Sequence, residues 1–200
     1  INVEPVWERF TTGKSNVIVN VVDGGPQVNH PDLDGVIIPG GSNGSKNFFA
    51  GSYKLTPTTH GTHVSGTIGA INNNGIGVCG IAGGSDGTGG VKILASQIFV
   101  EDENAGSGDS YAAMVWGADH GAVISQNSWG YTFKTEEQAR NGGMGGMEGA
   151  VEYFIKTAGT DGKGHQLQDS PMKGGVVIFA AGNEGWKYGW PAMYERENFI

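Results

Sequence analysis

Three polar residues in this 200-residue sequence are of types that together could cleave an acyl bond. Asp23 ends a run rich in β-branched residues, His60 opens a segment of small and apolar residues, and Asn183 closely follows another apolar run. A carboxylate can orient an imidazole, the imidazole can act as a general base, and a carboxamide can donate to a developing oxyanion. The three side chains, if brought together, therefore suggest acyl-transfer chemistry.

Apolar runs that alternate with helical patterns predict the elements that would position these side chains. The predicted strands are Asn16–Asp23, Val91–Val100, Ala122–Ser125 and Gly175–Ala181. The predicted helices are His60–Ile71, Asp109–His120 with Ser110 as its cap, and Met147–Thr157, with surface loops over Lys134–Gly146 and Gly159–Lys173. This order predicts an α/β fold with a mostly parallel sheet flanked by helices, in which ligands bind at the carboxyl ends of strands.

Composition excludes several classes of partner. Twelve Lys and Arg residues against 20 Asp and Glu residues give a net charge of -8, and no basic stripe suited to nucleic acid occurs. The apolar runs are too short to cross a membrane. The single cysteine, Cys79, excludes an internal disulfide and is expected to be a small buried hydrophobic residue.

Five motifs, taken in order, resemble those of the subtilisin-like serine proteases, the subtilases. They are an aspartate motif at Val21–Gly25 and His30–Leu33, a histidine motif at His60–Thr67, a substrate-binding strand at Ser128–Gly130, an oxyanion segment at Ala180–Gly185 and a turn at Trp190–Ala192. Their order and approximate spacing match the family along nearly the whole chain. Gly24 departs from the pattern, because the family usually has Ser or Thr after the aspartate.

The resemblance implies a three-layer α/β peptidase domain that hydrolyses polypeptide substrates through an Asp-His-Ser triad. In it, Asp23 would be the triad acid, His60 the general base and Asn183 the side-chain donor to the oxyanion. Two segments would sandwich an extended peptide substrate. Their residues are Gly106, Ser107, Gly108, Ser128, Trp129 and Gly130.

The family's Gly-Thr-Ser motif, which carries the nucleophile, does not occur in the sequence. We therefore expect residues 1–200 to be the N-terminal portion of a peptidase domain that is incomplete at its C-terminus, with the serine segment beyond Ile200. Two interpretations stay open: an active endopeptidase whose serine lies outside this chain, or an inactive fragment that works only with a complementing C-terminal segment. A propeptide, and a secreted or cell-envelope location, follow from family habit.

The resemblance also implies a structural calcium site, because carboxylate, carbonyl and amide oxygens suit Ca²⁺. Gly75 is an extra residue in the loop concerned, relative to the usual pattern. The expected ligands are Asn2, Asp32, Ile71, Asn73, Ile76 and Val78.

Zinc and phosphate are two other ligands that parts of the sequence could bind. His60 and His63 have a spacing that zinc could use, but no third Cys or His is near, so His63 is expected to pack under its helix. The glycine-rich segment Gly83–Gly90 could cradle phosphate in a nucleotide-binding domain, but it lacks Gly-Lys-Ser/Thr and is expected to be a surface loop.

Overall fold

The computed structural model describes residues 2–102, 104–141, 146–195 and 197–200, and its centre is a five-stranded sheet in which every strand pair is parallel. The strands are β1 Ile18–Gly24, β2 Lys46–Asn47, β3 Lys92–Phe99, β4 Ile124–Asn127 and β6 Val176–Phe179, in the order β2-β3-β1-β4-β6. A separate antiparallel ribbon joins β5 Tyr131–Phe133 to β7 Tyr188–Trp190.

Helices cover both faces of the sheet. α2 Thr59–Gly69 lies on one face, and α3 Ser110–Asp119 and α5 Met147–Thr157 lie on the other. Of the other two helices, α1 Glu4–Arg9 has no buried residue, and α4 Glu136–Asn141 contacts the β5–β7 ribbon. Val64 and Ile68 of α2 pack in one apolar cluster with Val19 and Val21 of β1. Side chains of α3 and α5, with Phe154 fully buried, form a second cluster against β6. The chain is therefore the three-layer α/β arrangement that the sequence predicts.

β1 lies in the middle of the sheet because nearly all of its side chains can be buried. Six of its seven residues are buried, and it pairs with β3 on one side and β4 on the other. Asn20, one of its two buried polar residues, accepts from the Ser96 hydroxyl at 2.7 Å and donates to the Ala113 carbonyl at 3.2 Å. This buried network fixes the height of β1, and so of Asp23, relative to β3 and α3.

The sequence predicted the positions of these elements well but not all of their ends. The helix at Met147–Thr157 is confirmed. The predicted cap of α3 was wrong, because Asp109, not Ser110, accepts from the Ala112 N–H. The predicted loop over Lys134–Gly146 was also wrong in part, because α4 lies within it, while residues 142–145 fall outside the described residues.

Two side chains lie in environments opposite to those predicted. His63 is exposed and does not pack under α2, because its position on the helix faces away from the sheet. Cys79 is exposed as well, in the loop after α2. Among the helices of the described residues, none has both the length and the hydropathy that crossing a membrane requires.

Candidate active site

Asp23 lies at the carboxyl end of β1, where the pairing with β3 shifts register. Its side chain is 1% exposed, and Oδ1 accepts the Gly24 N–H at 2.6 Å. The same oxygen lies 2.7 Å from Nδ1 of His60. The other oxygen, Oδ2, is buried and has no hydrogen-bond partner among the residues that the structure describes. The Asp23 carboxylate at the end of β1 is thus almost fully shielded from solvent, and its side-chain partner is the His60 imidazole.

His60 lies in the first turn of α2, whose start is fixed by side chains from two directions. Thr58 is the N-cap, and its hydroxyl accepts the Gly61 N–H at 3.0 Å. The Glu101 carboxylate, 42 residues away in the chain, accepts the Thr59 N–H. Because both contacts satisfy N–H groups that helix formation leaves free, they hold the first turn, and with it His60, against the end of β1.

The environment of the pair sets the roles of its two groups. Burial raises the pKa of the Asp23 carboxyl, and the hydrogen bonds from His60 and Gly24 offset part of that effect. The His60 side chain is 65% exposed, so it can reach a reacting group while Nδ1 remains on the carboxylate. With Nδ1–H donating to Asp23, Nε2 is the nitrogen suited to accept a proton.

A cavity of 470 Å³ opens directly over this pair. Gly106 and Ser107, two of the residues predicted to line a substrate strand, form part of its wall. Gly106 has a φ of +70°, a conformation that glycine adopts without strain. The predicted neighbour Gly108 donates its N–H to the Ile98 carbonyl at 2.7 Å, which ties this segment to the end of β3.

Asn183 lies in a second, smaller cavity of 180 Å³ together with Ser128, Trp129 and Gly130. Asn183 is exposed, and its backbone N–H donates to the Glu184 carboxylate at 3.0 Å. Tyr131 lines both cavities, so the two are adjacent. The structure thus brings Asp23 and His60 into contact and places Asn183 with Ser128–Gly130 in a separate cavity that shares Tyr131 with the first.

Trp129 has a structural role that its sequence position did not reveal. Its Nε1–H donates to the Val22 carbonyl at 2.9 Å, next to Asp23. Its ring makes edge-to-face contacts with Phe99 and Phe179. The indole therefore fixes the Ser128–Gly130 segment to the carboxyl end of β1.

Two residues that position His60 were missed by sequence reasoning. Thr58 carries a local signal, since a threonine just before a helical segment is a typical N-cap. Glu101 carries none, because its contact with Thr59 depends on how β3 and α2 are brought together by the fold.

The proposed calcium ligands are only partly brought together. Asp32 is 2% exposed; its Oδ1 accepts from Asn74 Nδ2 and its Oδ2 from the Val78 N–H, both at 2.8 Å. Asn73, the predicted side-chain ligand, donates its Nδ2–H to the Ser85 carbonyl at 2.6 Å. Asn2, the predicted ligand near the N-terminus, is exposed.

The donor chemistry of this loop still suits Ca²⁺, with one buried carboxylate among carbonyl and amide oxygens. Coordination by both oxygens of Asp32 would require the hydrogen bonds from Asn74 and Val78 to be replaced. The described residues contain no group of three or more Cys, His, Asp or Glu side chains that could hold a metal ion such as zinc.

The parallel sheet, with an acid–base pair at the carboxyl end of its central strand, defines an α/β protein with a candidate hydrolytic site. The sequence matches the subtilase family over residues 14–200, and the chain belongs to that family.

Three curated relatives illustrate the match. Fervidolysin of Fervidobacterium pennivorans is 36% identical over 66% of this chain and 19% of its own length. A thermophilic serine proteinase of Bacillus sp. strain AK1 is 30% identical over 95% of this chain and 39% of its own. The extracellular basic protease of Dichelobacter nodosus is 27% identical over 92% of this chain and 31% of its own.

The solved structure of fervidolysin, described as a keratinolytic enzyme related to subtilisin, superposes with a TM-score of 0.57 at 26% identity. The match covers 90% of this chain and 23% of that one. The chain therefore spans less than two thirds of the length of each of these relatives.

Proposed function

We propose that the protein is a serine endopeptidase in which Asp23 and His60 are the acid and base of an Asp-His-Ser triad. The observation that carries this proposal is the 2.7 Å contact between the buried Asp23 carboxylate and His60 Nδ1, at the floor of a cavity. Membership of the subtilase family supports the reaction class. The nucleophilic serine would come from outside these 200 residues.

Each residue then has a defined task in acyl transfer. His60 Nε2 accepts the serine hydroxyl proton as the serine oxygen bonds to the scissile carbonyl carbon, and later returns a proton to the leaving amine. Asp23 keeps the other proton on Nδ1 and stabilises the imidazolium that forms. The Asn183 carboxamide donates to the carbonyl oxygen as it becomes an oxyanion.

A polypeptide in extended conformation is the substrate that the two glycine-bearing segments would accept. Gly106 and Ser107 border the cavity over His60, and Ser128–Gly130 borders the cavity that holds Asn183. Pairing through the peptide backbone is tolerant of sequence, since side chains contribute little to it. The net charge of -8 supports a partner other than nucleic acid.

Two further features of the whole protein belong to this proposal. We place it outside the cytoplasm, secreted or at the cell envelope, with support from a relative that is named as an extracellular protease. A propeptide, or a complementing C-terminal segment, would complete the folded enzyme.

We also propose a structural Ca²⁺ held by Asp32 and by oxygens of the loop around Ile71–Val78. The ion would supply positive charge that neutralises a buried carboxylate and would stiffen the loop after α2. It takes no part in the acyl-transfer steps.

The test of the function uses the whole protein and a chromogenic peptide amide. We expect His60→Ala to lower kcat by several orders of magnitude, because triad members act as a unit. His165→Ala is the matched control, since His165 also contacts an aspartate but lies in an exposed loop, and it should keep parental activity. A fluorophosphonate should label one serine in the parent protein.

The inactive-fragment interpretation predicts a different result. No labelling and no hydrolysis by the parent protein, with both appearing when a complementing chain is added, would favour it. Parental activity in His60→Ala would contradict the triad assignment altogether.

A further inference from the structure

Gly24 has no side chain where the subtilase pattern usually has Ser or Thr, and in the structure a side chain from another segment occupies that space. A Cβ atom added at Gly24 would overlap the hydroxyl, Cβ and methyl group of Thr58, which occupy the volume beside it. Thr58 is 6% exposed and lies 34 positions further along the chain. The absence of a side chain at position 24 and the presence of this threonine are therefore spatially coupled.

Thr58 links the end of β1 to the start of α2 through several hydrogen bonds. Its backbone N–H and its hydroxyl both donate to the Gly25 carbonyl, at 2.7 and 3.3 Å. The hydroxyl accepts the Gly61 N–H, and the Thr58 carbonyl accepts the Thr62 hydroxyl at 2.7 Å. The Thr58 hydroxyl thus bonds to Gly25, two residues after Asp23, and to Gly61, the residue after His60.

The two elements are in backbone contact at the same point. A Cβ atom at Gly61 would collide with the Gly24 carbonyl, so α2 approaches β1 as closely as two chains can. Gly24 follows Asp23 and Gly61 follows His60, so a small slide of one segment along the other changes the Asp23–His60 distance directly. The Thr58 side chain packs between Gly24 and Gly61.

We propose that Thr58 is a positioning residue for the Asp23–His60 pair, supplying from the loop before α2 the side chain that Gly24 lacks. The hydroxyl sets the separation of Gly25 and Gly61, and the methyl group fills the space next to Gly24. The catalytic consequence rests on the proposed peptidase function, whereas the positioning of the two side chains does not.

The test compares three variants of the whole protein. Thr58→Val keeps the shape but loses the hydroxyl, Thr58→Ser keeps the hydroxyl, and Thr67→Val removes a hydroxyl that donates to the His63 carbonyl on the same helix. We expect Thr58→Val to lower kcat about 10-fold to 100-fold with KM unchanged, as a misplaced general base does. Thr58→Ser should lose less activity than Thr58→Val, because it keeps the hydroxyl that bonds to Gly25 and Gly61. Thr67→Val should stay within about twofold of the parent, because it leaves the Gly24–Thr58 contact intact.

A spectroscopic measurement separates positioning from a general loss of stability. The low-field proton resonance of His60 Nδ1–H reports the hydrogen bond to Asp23. It should weaken or shift in Thr58→Val and persist in the other two variants. It can be recorded in an inactive protein, so failure of the peptidase proposal and failure of this inference are distinguishable. Unchanged kcat, pH profile and resonance in Thr58→Val, even with a lower Tm, would overturn the inference.

Moving the hydroxyl across the contact gives an independent test if Thr58→Val does not fold. Gly24→Ser alone should collide with Thr58 and impair the pair, as should Thr58→Ala alone. The double variant Gly24→Ser/Thr58→Ala restores a hydroxyl to the same space. We expect its kcat and resonance to be closer to the parent than the two single effects combined; simple additivity would show that the two positions are not coupled.

Discussion

Two carboxylate–histidine pairs in this molecule make the same contact in opposite surroundings. Asp23 lies 2.7 Å from His60 Nδ1, and Asp161 lies 2.9 Å from His165 Nδ1. The Asp23 side chain is 1% exposed, whereas that of Asp161 is 36% exposed. The comparison shows that the contact alone does not make an acid–base site, because the surroundings decide what the two groups can do.

The pKa values of the two aspartates move in opposite directions. Burial raises the pKa of Asp23, since the charged form is poorly solvated at the end of β1. At Asp161, hydrogen bonds from the His165 side chain and from the His165 and Lys163 N–H groups lower the pKa to about 2. One carboxylate is held where ionisation is unfavourable, and the other is a turn residue that its loop stabilises in the charged form.

The supporting structure differs in the same way. His60 is fixed by a capped helix and opens into a 470 Å³ cavity. Asp161 and His165 belong to one polar loop, in which Asp161 also donates its N–H to the His165 carbonyl at 3.0 Å. A pair brought together from two distant segments is available for chemistry, whereas a pair four residues apart stabilises a local turn.

The largest expected difference between the pairs is in activity. Asp23→Asn in the whole protein should lower kcat about 10⁴-fold, because loss of the charge removes the partner that orients and stabilises the imidazolium. Asp161→Asn is the matched control and should leave kcat unchanged. Hydrolysis of a peptide amide measures both; equal losses in the two variants would contradict the distinction between the pairs.

A smaller effect is expected at Asn183, the exposed side chain in the neighbouring cavity. Removing one oxyanion donor lowers kcat of subtilisin by about 10²–10³, and we take over that value for Asn183→Ala. Because Asn183 is exposed and lies in an open cavity, Tm should stay near that of the parent. A change in KM with no change in kcat would show that Asn183 binds substrate in the ground state instead.

A third carboxylate, Asp32, sharpens the comparison because it is as buried as Asp23 but has N–H partners on both oxygens. If Ca²⁺ replaces those partners, a free concentration of 100 times Kd stabilises the fold by about 2.7 kcal/mol. Thermal melts with Ca²⁺ and with chelator should then differ, and Asp32→Asn should abolish the difference. Exposed Asp34→Asn is the control. Equal melts of the parent protein in both conditions would contradict the calcium proposal.

How far the sequence predicts this molecule depends on the distance over which each contact acts. The strand ending at Asp23 and the helix near His60 can be predicted from local patterns, because a β-branched run and helical spacing of small residues are visible within a few neighbouring positions. The ribbon of β5 and β7 does not, since each strand has three residues and gains its partner only in the fold.

The site shows the same division. The sequence predicted Asp23 and His60, which are in contact, whereas the role of Asn183, which lines a neighbouring cavity, stays a prediction. It did not predict that Glu101 would cap α2 or that Trp129 would point into the core, because both contacts join segments far apart in the chain. The loop after α2 is the clearest limit, because the sequence did not show that Asn74, and not Asn73, donates to the Asp32 carboxylate.

The smallest expected effect is a difference in pH dependence. With its pKa raised, Asp23 stabilises the fold most fully below the unfolded pKa of about 4, and that contribution is lost as pH rises through the folded value. Asp161 behaves oppositely: its contribution is present above about pH 4 and is lost as pH falls towards about 2.

Urea unfolding of the parent, Asp23→Asn and Asp161→Asn across pH 3 to 7 should separate the two aspartates. As pH rises, the unfolding free energy of Asp23→Asn should increase relative to the parent, because a neutral amide is less unfavourable than a charge in the buried site. That of Asp161→Asn should decrease relative to the parent. Shifts of the same sign would mean that burial is not what separates the two pairs, since hydrogen bonding to histidine is common to both.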